Sequence, residues 1–536
     1  MKIKLTLGLL VLIVLSFLVR FYAISKSPPS VNFDEAALGY NAYSLLKTGK
    51  DEYGRSWPLS LRSFNDFKPA LYSYFSIPFV SWFGLNETST RMVSVISGSL
   101  RVIVYFFLLR LFLKGESKKI WLYTLILSLQ PWELHFSRTA FESNLSCLFF
   151  TIGAVLLLYY KEKKSGGIYL FFSILAFLLS IYSYHSARLG VPIFVFLVFF
   201  DPFTLSLKSI KKGVWVLFWL LLGVAPLLYS TRTDTILERF NQENIFKHYY
   251  PFASKESDIG INRYYYLAGM MVGHVASYFS PINIGYEVYH WVRLSPQYIP
   301  SFSMLGWEET IFVIIGFFMV LRKFRDDYKI RILVYWIIAG SAPSAVTWNW
   351  FHPLRALNLM PVLGVFAIMG LDYIIETRYK KIYLFLVLVW LIPTGSFRVT
   401  NELSYSVWKN HGEYQPGGFK QGAALLGSLA NEAKTVYLDS SQAQSYIFFL
   451  FYQSYPPVLI QKYASVRPAV GVEGDLSFNF GNYVYRKFDW PAQHNEENVV
   501  YWTSREVKDD EIKKSGGMIF SVANAVSKRA AVIIKK

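Results

Sequence analysis

The chain has 536 residues, of which 53% are hydrophobic, 18% aromatic and only 17% charged. That much apolar surface cannot be hidden in soluble domains of ordinary size, so an ordinary soluble enzyme is excluded and a polytopic α-helical membrane protein is expected. The formal net charge of +18 collects in short connections between apolar runs, which reads as membrane topology and attraction to anionic lipid, with no nucleic-acid footprint.

Apolar runs of about 17 to 23 residues, the length that crosses a bilayer as helix, fall at roughly 5–23, 91–113, 119–135, 141–160, 168–186, 188–204, 213–230, 309–321, 331–347, 355–376 and 381–397. About eleven transmembrane helices are expected, with 309–321 short and 188–204 close behind its predecessor. Lys2 and Lys4 precede the first run, yet no small-x-small cleavage pattern follows and Arg20 ends it, so a retained helix is expected rather than a signal peptide. The basic segments Met1–Lys4, Lys114–Lys119, Lys161–Lys164, Lys208–Lys212, Arg322–Arg331 and Arg378–Lys381 fall at every second connection. This parity puts them, and the N-terminus, in the cytoplasm of a multi-pass protein.

The other connections then face outward, and two of them, 24–90 and 231–305, are long. The sequence divides into a transmembrane domain, 1–397, and a small extracytoplasmic α/β domain, 398–536. In the latter, Leu425–Ala433 and Ser445–Tyr452 read as helices, and Thr435–Leu438 and Val499–Trp502 as strands. Long outward segments imply work at the outer face.

The first outward loop opens with the acidic pair Asp34-Glu35. Leu38, Ala42 and Leu45 recur at helical spacing and Gly49 follows, which predicts a short amphipathic helix over 34–47 lying along the membrane surface. Its N-terminal dipole favours carboxylate over acid. The bland account is that both acids cap the helix. Successive helical residues point about 100° apart, so the two acids have different roles, and if one is a base, the other orients it. Lys68 precedes Pro69, read as the first residue of a second helix, where an anion would satisfy both the ammonium and the free backbone N–H groups.

Further along, Glu133, His135, Arg138 and Glu142 crowd one outward turn, while His185-x-x-Arg188 and His352-Pro353-Leu354-Arg355 repeat the pairing of histidine and arginine on the same side. The histidines lack close ligand spacing, so no metal site is assigned to them. A divalent cation held by Asp and Glu with water stays open, and no other cofactor is indicated. There is no P-loop, Rossmann glycine fingerprint or nucleophile elbow, which disfavours soluble nucleotide chemistry. Cys147, the single cysteine, lies in an apolar run and reads as an ordinary buried side chain. Tyr40 and Tyr72 are candidates for stacking on sugar faces, against the plainer reading of interfacial anchors.

Over about the first 400 residues the chain resembles membrane glycosyltransferases of the GT-C class, in particular bacterial relatives of the protein O-mannosyltransferases and the lipid A aminoarabinose transferases. The resemblance rests on Asp34-Glu35, Lys68-Pro69, Ser137-Arg138 with Glu142, and His352-Pro353-Leu354-Arg355-Ala356-Leu357. Ala70 stands where the family often has a second proline. The resemblance implies inverting transfer of a hexose or pentose from a polyprenyl-phosphate donor to a protein, lipid or glycan acceptor at the outer face of the plasma membrane. It implies Asp34 as general base, Glu35 as a positioning group, and Lys68, Arg138 and Arg355 around the donor phosphate. Glu142 and His352 would then contact substrate. The competing reading, a flippase or carrier for a lipid-linked glycan, would want charges in the middles of spans and inverted halves, neither of which is evident.

Overall fold

The computed structural model describes residues 2–64, 66–113, 117–163, 166–230, 244–246, 263–285, 303–376, 380–403, 417–440, 446–463, 477–487, 498–503, 518–522 and 531–535. In chain order these form α1 (Lys2–Phe21), α2 (Phe33–Thr48), β1 (Ser60–Ser63), β2 (Asp66–Pro69), α3 (Leu71–Phe83), α4 (Glu87–Phe112), α5 (Ser117–Ser128) and α6 (Pro131–Phe136). Then follow α7 (Glu142–Lys163), α8 (Gly167–Ser183), α9 (His185–Phe199), α10 (Leu207–Ser230), α11 (Arg263–Ser277), α12 (Trp307–Lys323), α13 (Tyr328–Ala345), α14 (Pro353–Ala356), α15 (Met360–Ile375) and α16 (Lys380–Leu403). The remainder comprises α17 (Gly417–Ala430), β3 (Thr435–Asp439), α18 (Tyr446–Tyr452), α19 (Pro457–Gln461), β4 (Phe478–Phe480), β5 (Tyr483–Arg486), β6 (Val499–Thr503), β7 (Met518–Val522) and β8 (Ala531–Lys535). Most of the 231–305 connection lies outside the described residues, although α11 and a short helical turn at Pro281–Gly285 fall within it.

The chain divides into two compact units. One takes residues up to Tyr22 together with most of 94–401, and the other takes Ala23–Val93 with Glu402–Lys536. The expected cut near 398 is therefore corrected in one respect, since the first outward loop belongs with the C-terminal segment. The reason is a shared apolar core, in which Val31, Ala36, Ala37, Tyr40 and Phe64 from the loop pack with Ile447, Phe449, Phe451 and Trp502 from the tail.

In the first unit, α4, α7 and α10 are long and apolar enough to cross a membrane, and α8, α9 and α15 are shorter apolar helices. Several expected spans are shorter or broken. The run 119–135 divides because Pro131 cannot continue α5 and instead opens α6 at its first turn. The run 355–376 likewise divides into α14 and α15, with Pro361 in the first turn of the latter.

The second unit is built on a six-stranded sheet of order β4-β5-β3-β6-β8-β7. β3 runs parallel to β5 and β6, while β4, β8 and β7 pair antiparallel. The helices and strands read from the tail sequence coincide with α17, α18, β3 and β6 within a few residues, except that α17 begins earlier, at Gly417. β1 and β2 form a separate antiparallel ribbon, Leu61 opposite Lys68 and Arg62 opposite Phe67.

Candidate active site

The second unit brings Asp34 and Lys68 together. α2 starts where the sequence placed it because Asn32 and Glu35 form a capping box: Glu35 N–H donates to Asn32 Oδ1 at 3.0 Å, and Asn32 N–H donates to Glu35 Oε2 at 3.0 Å. The helix stops at Gly49, whose φ of 68° is the left-handed conformation glycine adopts without a Cβ clash, and whose N–H reaches Leu45 O at 2.8 Å. Between these ends the helix is buried from Glu35 to Ala42, packed against α3 and the aromatic α18. It is thus a core helix, which corrects the expected surface-lying amphipathic helix. The approach is close at Gly39, where a Cβ would come within 2.5 Å of Thr90 Oγ1 and 2.7 Å of the Phe451 ring.

The two adjacent acids have different surroundings. Glu35 is fully buried and meets Arg91 in a bidentate pair, Nε to Oε1 at 2.9 Å and Nη2 to Oε2 at 3.0 Å. Arg91 also donates to the carbonyls of Ile24, Pro28 and Ser30, so one guanidinium fixes the strand of chain that leads into α2. Asp34 projects elsewhere: its carboxylate pairs with the Lys68 ammonium, and the two side chains keep 13% and 10% of their surface in solvent. A carboxylate at the first turn of a helix, bonded to a partly exposed lysine, can accept a proton and face an anion at the same time.

Lys68 lies in β2, not at a helix start. Pro69 ends the strand, and α3 opens two residues later at Leu71 with Ala70 as its cap. The expected anion-binding helix terminus at Lys68-Pro69 is therefore corrected; the antiparallel ribbon, which pairs Lys68 with Leu61, carries the lysine to Asp34 instead.

Tyr40 and Tyr72 are also corrected. Both rings are fully buried, with the hydroxyls donating to Tyr455 O at 2.8 Å and Thr90 O at 3.0 Å, so they are core supports for α2 and α3 and no platform for a sugar.

In the first unit, Arg138 is fully buried and its Nη1 donates to Val19 O, Arg20 O and Tyr22 O at 3.2, 2.7 and 2.9 Å. It closes the C-terminal end of α1, where the free carbonyls and the dipole favour a cation. That geometry fits a structural clamp better than the phosphate contact expected of it. Glu142 stands in the first turn of α7 and Arg355 in α14, both largely buried. His352 caps α14 and its backbone N–H donates to the Tyr278 hydroxyl at 3.2 Å.

Sequence reasoning misses two features. Arg91 is the first residue of an apolar run and merges with it, although a charge at a span's edge is itself a signal. Glu133 stands out at the outward turn, but not the residues that hold it: Arg101 bonds both of its oxygens at 2.8 and 2.9 Å, Tyr105 donates at 2.9 Å, and Arg20 approaches at 3.5 Å. Arg101 reaches on to Asn144 Oδ1 at 2.7 Å. Among the described residues no group of three or more His, Cys, Asp or Glu side chains is arranged to hold a metal ion.

The architecture has solved counterparts. ArnT from Cupriavidus metallidurans bound to undecaprenyl phosphate superposes with a TM-score of 0.59 at 13% identity, covering 98% of this chain and 97% of that one. The same protein in the apo state gives 0.56 at 12% identity, covering 99% and 98%. The chain has the GT-C fold of ArnT. The match runs over nearly the full length of both proteins, so it includes the C-terminal segment as well as the helices. No protein-family model and no curated protein matches the chain. The ArnT fold is the one that the motifs of the first 400 residues imply.

Proposed function

We propose that this protein is a membrane glycosyltransferase that moves a sugar from a polyprenyl-phosphate donor to an acceptor hydroxyl at the outer face of the plasma membrane, with inversion at the anomeric carbon. The observation that carries the reading is the ion pair between Asp34 and Lys68 on a buried, capped helix. As the acceptor oxygen bonds to the anomeric carbon, its proton passes to the Asp34 carboxylate. The bond from that carbon to the phosphate oxygen breaks, and polyprenyl phosphate departs with the electron pair. Phosphate is a good leaving group and needs charge stabilisation more than protonation. Lys68 supplies it.

Glu35 does not touch the reactants; it positions the base by holding the first turn of α2. Glu142 and His352 remain the residues proposed for sugar or acceptor contacts. The acceptor is a protein, lipid or glycan.

Support comes from the ArnT fold, since ArnT was solved with undecaprenyl phosphate bound, and from helices long and apolar enough to meet a lipid-tailed donor in the bilayer. The test is sugar release from a panel of hexosyl and pentosyl polyprenyl phosphates in proteoliposomes. Asp34→Asn is expected to lower turnover by about 10²- to 10⁴-fold, the range for loss of a general base, with the fold retained. Turnover that survives the substitution removes Asp34 as the base. Movement of intact lipid-linked sugar with no release from any donor would assign a flippase.

A further inference from the structure

A cavity of about 540 Å³ lies in the helical unit between α4, α7 and α8, lined by none of the residues assigned to transfer. Its wall is apolar along most of its length, with Val104 and Phe107 from α4 and Ile152, Val155 and Leu156 from α7. At one end the character changes to Arg110, Lys163 and the rings of Tyr159 and Tyr169. On α7 the lining residues follow one helical stripe from Ile152 to Lys163, which at 1.5 Å per residue makes a channel of about 16 Å. That is an acyl-chain-sized slot capped by two cations.

The polar end is arranged for an anion. Lys163 Nζ donates to the Tyr169 hydroxyl at 2.9 Å and lies 5.0 Å from that ring's centre, while Tyr159 and Tyr169 stack with centroids 6.0 Å apart. No carboxylate lines the cavity among the described residues. Glu162, the acid next to Lys163 in the chain, is paired with Lys329 of α13 at 2.8 Å. Arg110 and Lys163 stand at the ends of α4 and α7 that lead into the basic connections 114–119 and 161–164, read above as cytoplasmic. The cytoplasmic leaflet carries the anionic phospholipids, and basic pockets between helices on that side bind their head groups.

We propose that this cavity is a binding site for an anionic glycerophospholipid of the inner leaflet, its phosphate held by Arg110, Lys163 and Tyr169 and one acyl chain lying along the α4 and α7 stripe. The site shares no residue with the Asp34 and Lys68 pair and stands whether or not the transferase reading does.

The experiment uses the full chain purified in detergent, with bound lipid counted by native mass spectrometry during titration with dioleoylphosphatidylglycerol, dioleoylphosphatidylcholine or undecaprenyl phosphate. In the part of the binding that Ile152→Trp removes, phosphatidylglycerol is expected to be preferred to the other two. Arg110→Gln with Lys163→Gln should weaken it about 25-fold, at about fivefold per cation. Ile152→Trp, which fills the channel and keeps both charges, should weaken it as well. If the double variant fails to fold, Lys163→Gln alone is read against the fivefold expectation. Phosphatidylglycerol affinity that is unchanged in the cation variants and in Ile152→Trp overturns the site, and phosphatidylcholine or undecaprenyl phosphate binding that exceeds it and is lost in Ile152→Trp overturns the assigned occupant.

Discussion

Two adjacent carboxylates show how far identity and spacing carry an assignment. The 100° offset between helical neighbours dictates that Asp34 and Glu35 have different partners, and the sequence supports that much. Which acid is held in the core depends on Arg91, more than fifty positions away, and no local pattern reports it. The difference is measurable. Glu35→Gln leaves the fully buried Arg91 guanidinium without its counter-charge and should destabilise the protein by about 3–5 kcal/mol, whereas Lys68→Gln, at a pair whose two side chains still reach solvent, should cost less while abolishing transfer. Thermal unfolding and turnover measured on the same two preparations check this; comparable stability losses would show that the pairs are equivalent. Asp51 gives a pH-dependent counterpart. It is fully buried, and burial holds its carboxyl above the ordinary range even though Tyr53 N–H, Arg55 N–H and the Arg55 charge oppose the shift. A raised folded pKa means that Asp51 favours the folded state most below its unfolded value of about 4 and loses that contribution as pH rises through the folded pKa. Asp51→Asn should therefore gain stability relative to the parent as pH climbs from about 4 and then level off. A gap that is constant with pH would mean that Asp51 titrates normally.

At the scale of elements, α2 was legible because its instructions are local. The Asn32-x-x-Glu35 box and Gly49 mark its ends, and Asn32→Ala should cost about 1 kcal/mol of stability, read by urea or thermal unfolding in detergent. Its burial was not legible: three apolar residues at helical spacing fit a surface helix as well as a core helix, and the distinction comes from α18 on its other side. Gly39 records that second neighbour. Gly39→Ala should destabilise by about 1–3 kcal/mol as Thr90 and Phe451 are forced apart, and a neutral substitution would mean that α18 is not seated there. The β1–β2 ribbon reads as the start of a helix in sequence because Lys68-Pro69 carries the proline that opens many helices. Proline is also tolerated at the end of an edge strand, and the four-residue pairing with Ser60–Ser63 decides between the two. Span boundaries fail for the related reason that hydropathy is blind to where Pro131 interrupts a run.

At the scale of the molecule, the composition, the order of motifs and the GT-C fold were legible, because each is carried by many residues at once. The sharing of one core by segments 23–93 and 402–536 was not, because that core joins residues some 400 positions apart and no periodicity links them. Its consequence for function is direct. Val31 N–H donates to the Tyr452 hydroxyl at 3.2 Å, Gln461 bonds Ser44, Thr48 and the Asp51 carbonyl, and the Ala36 and Tyr40 face of α2 meets Phe449 and Phe451 within one apolar cluster. The C-terminal segment thus holds the helix that bears the proposed base. A chain ending after Leu403 keeps Asp34, Glu35, Lys68 and Arg91 but exposes the apolar face of α2, and a lone helix of this length is marginal in water. We expect that truncation to abolish sugar release and to strip α2 of its amide hydrogen-exchange protection, while protection in α7 and α8, which pack within the other unit, persists. Turnover in the truncated chain, with α2 amides still protected, would show that the first outward loop folds without the tail and that the tail serves substrate binding alone.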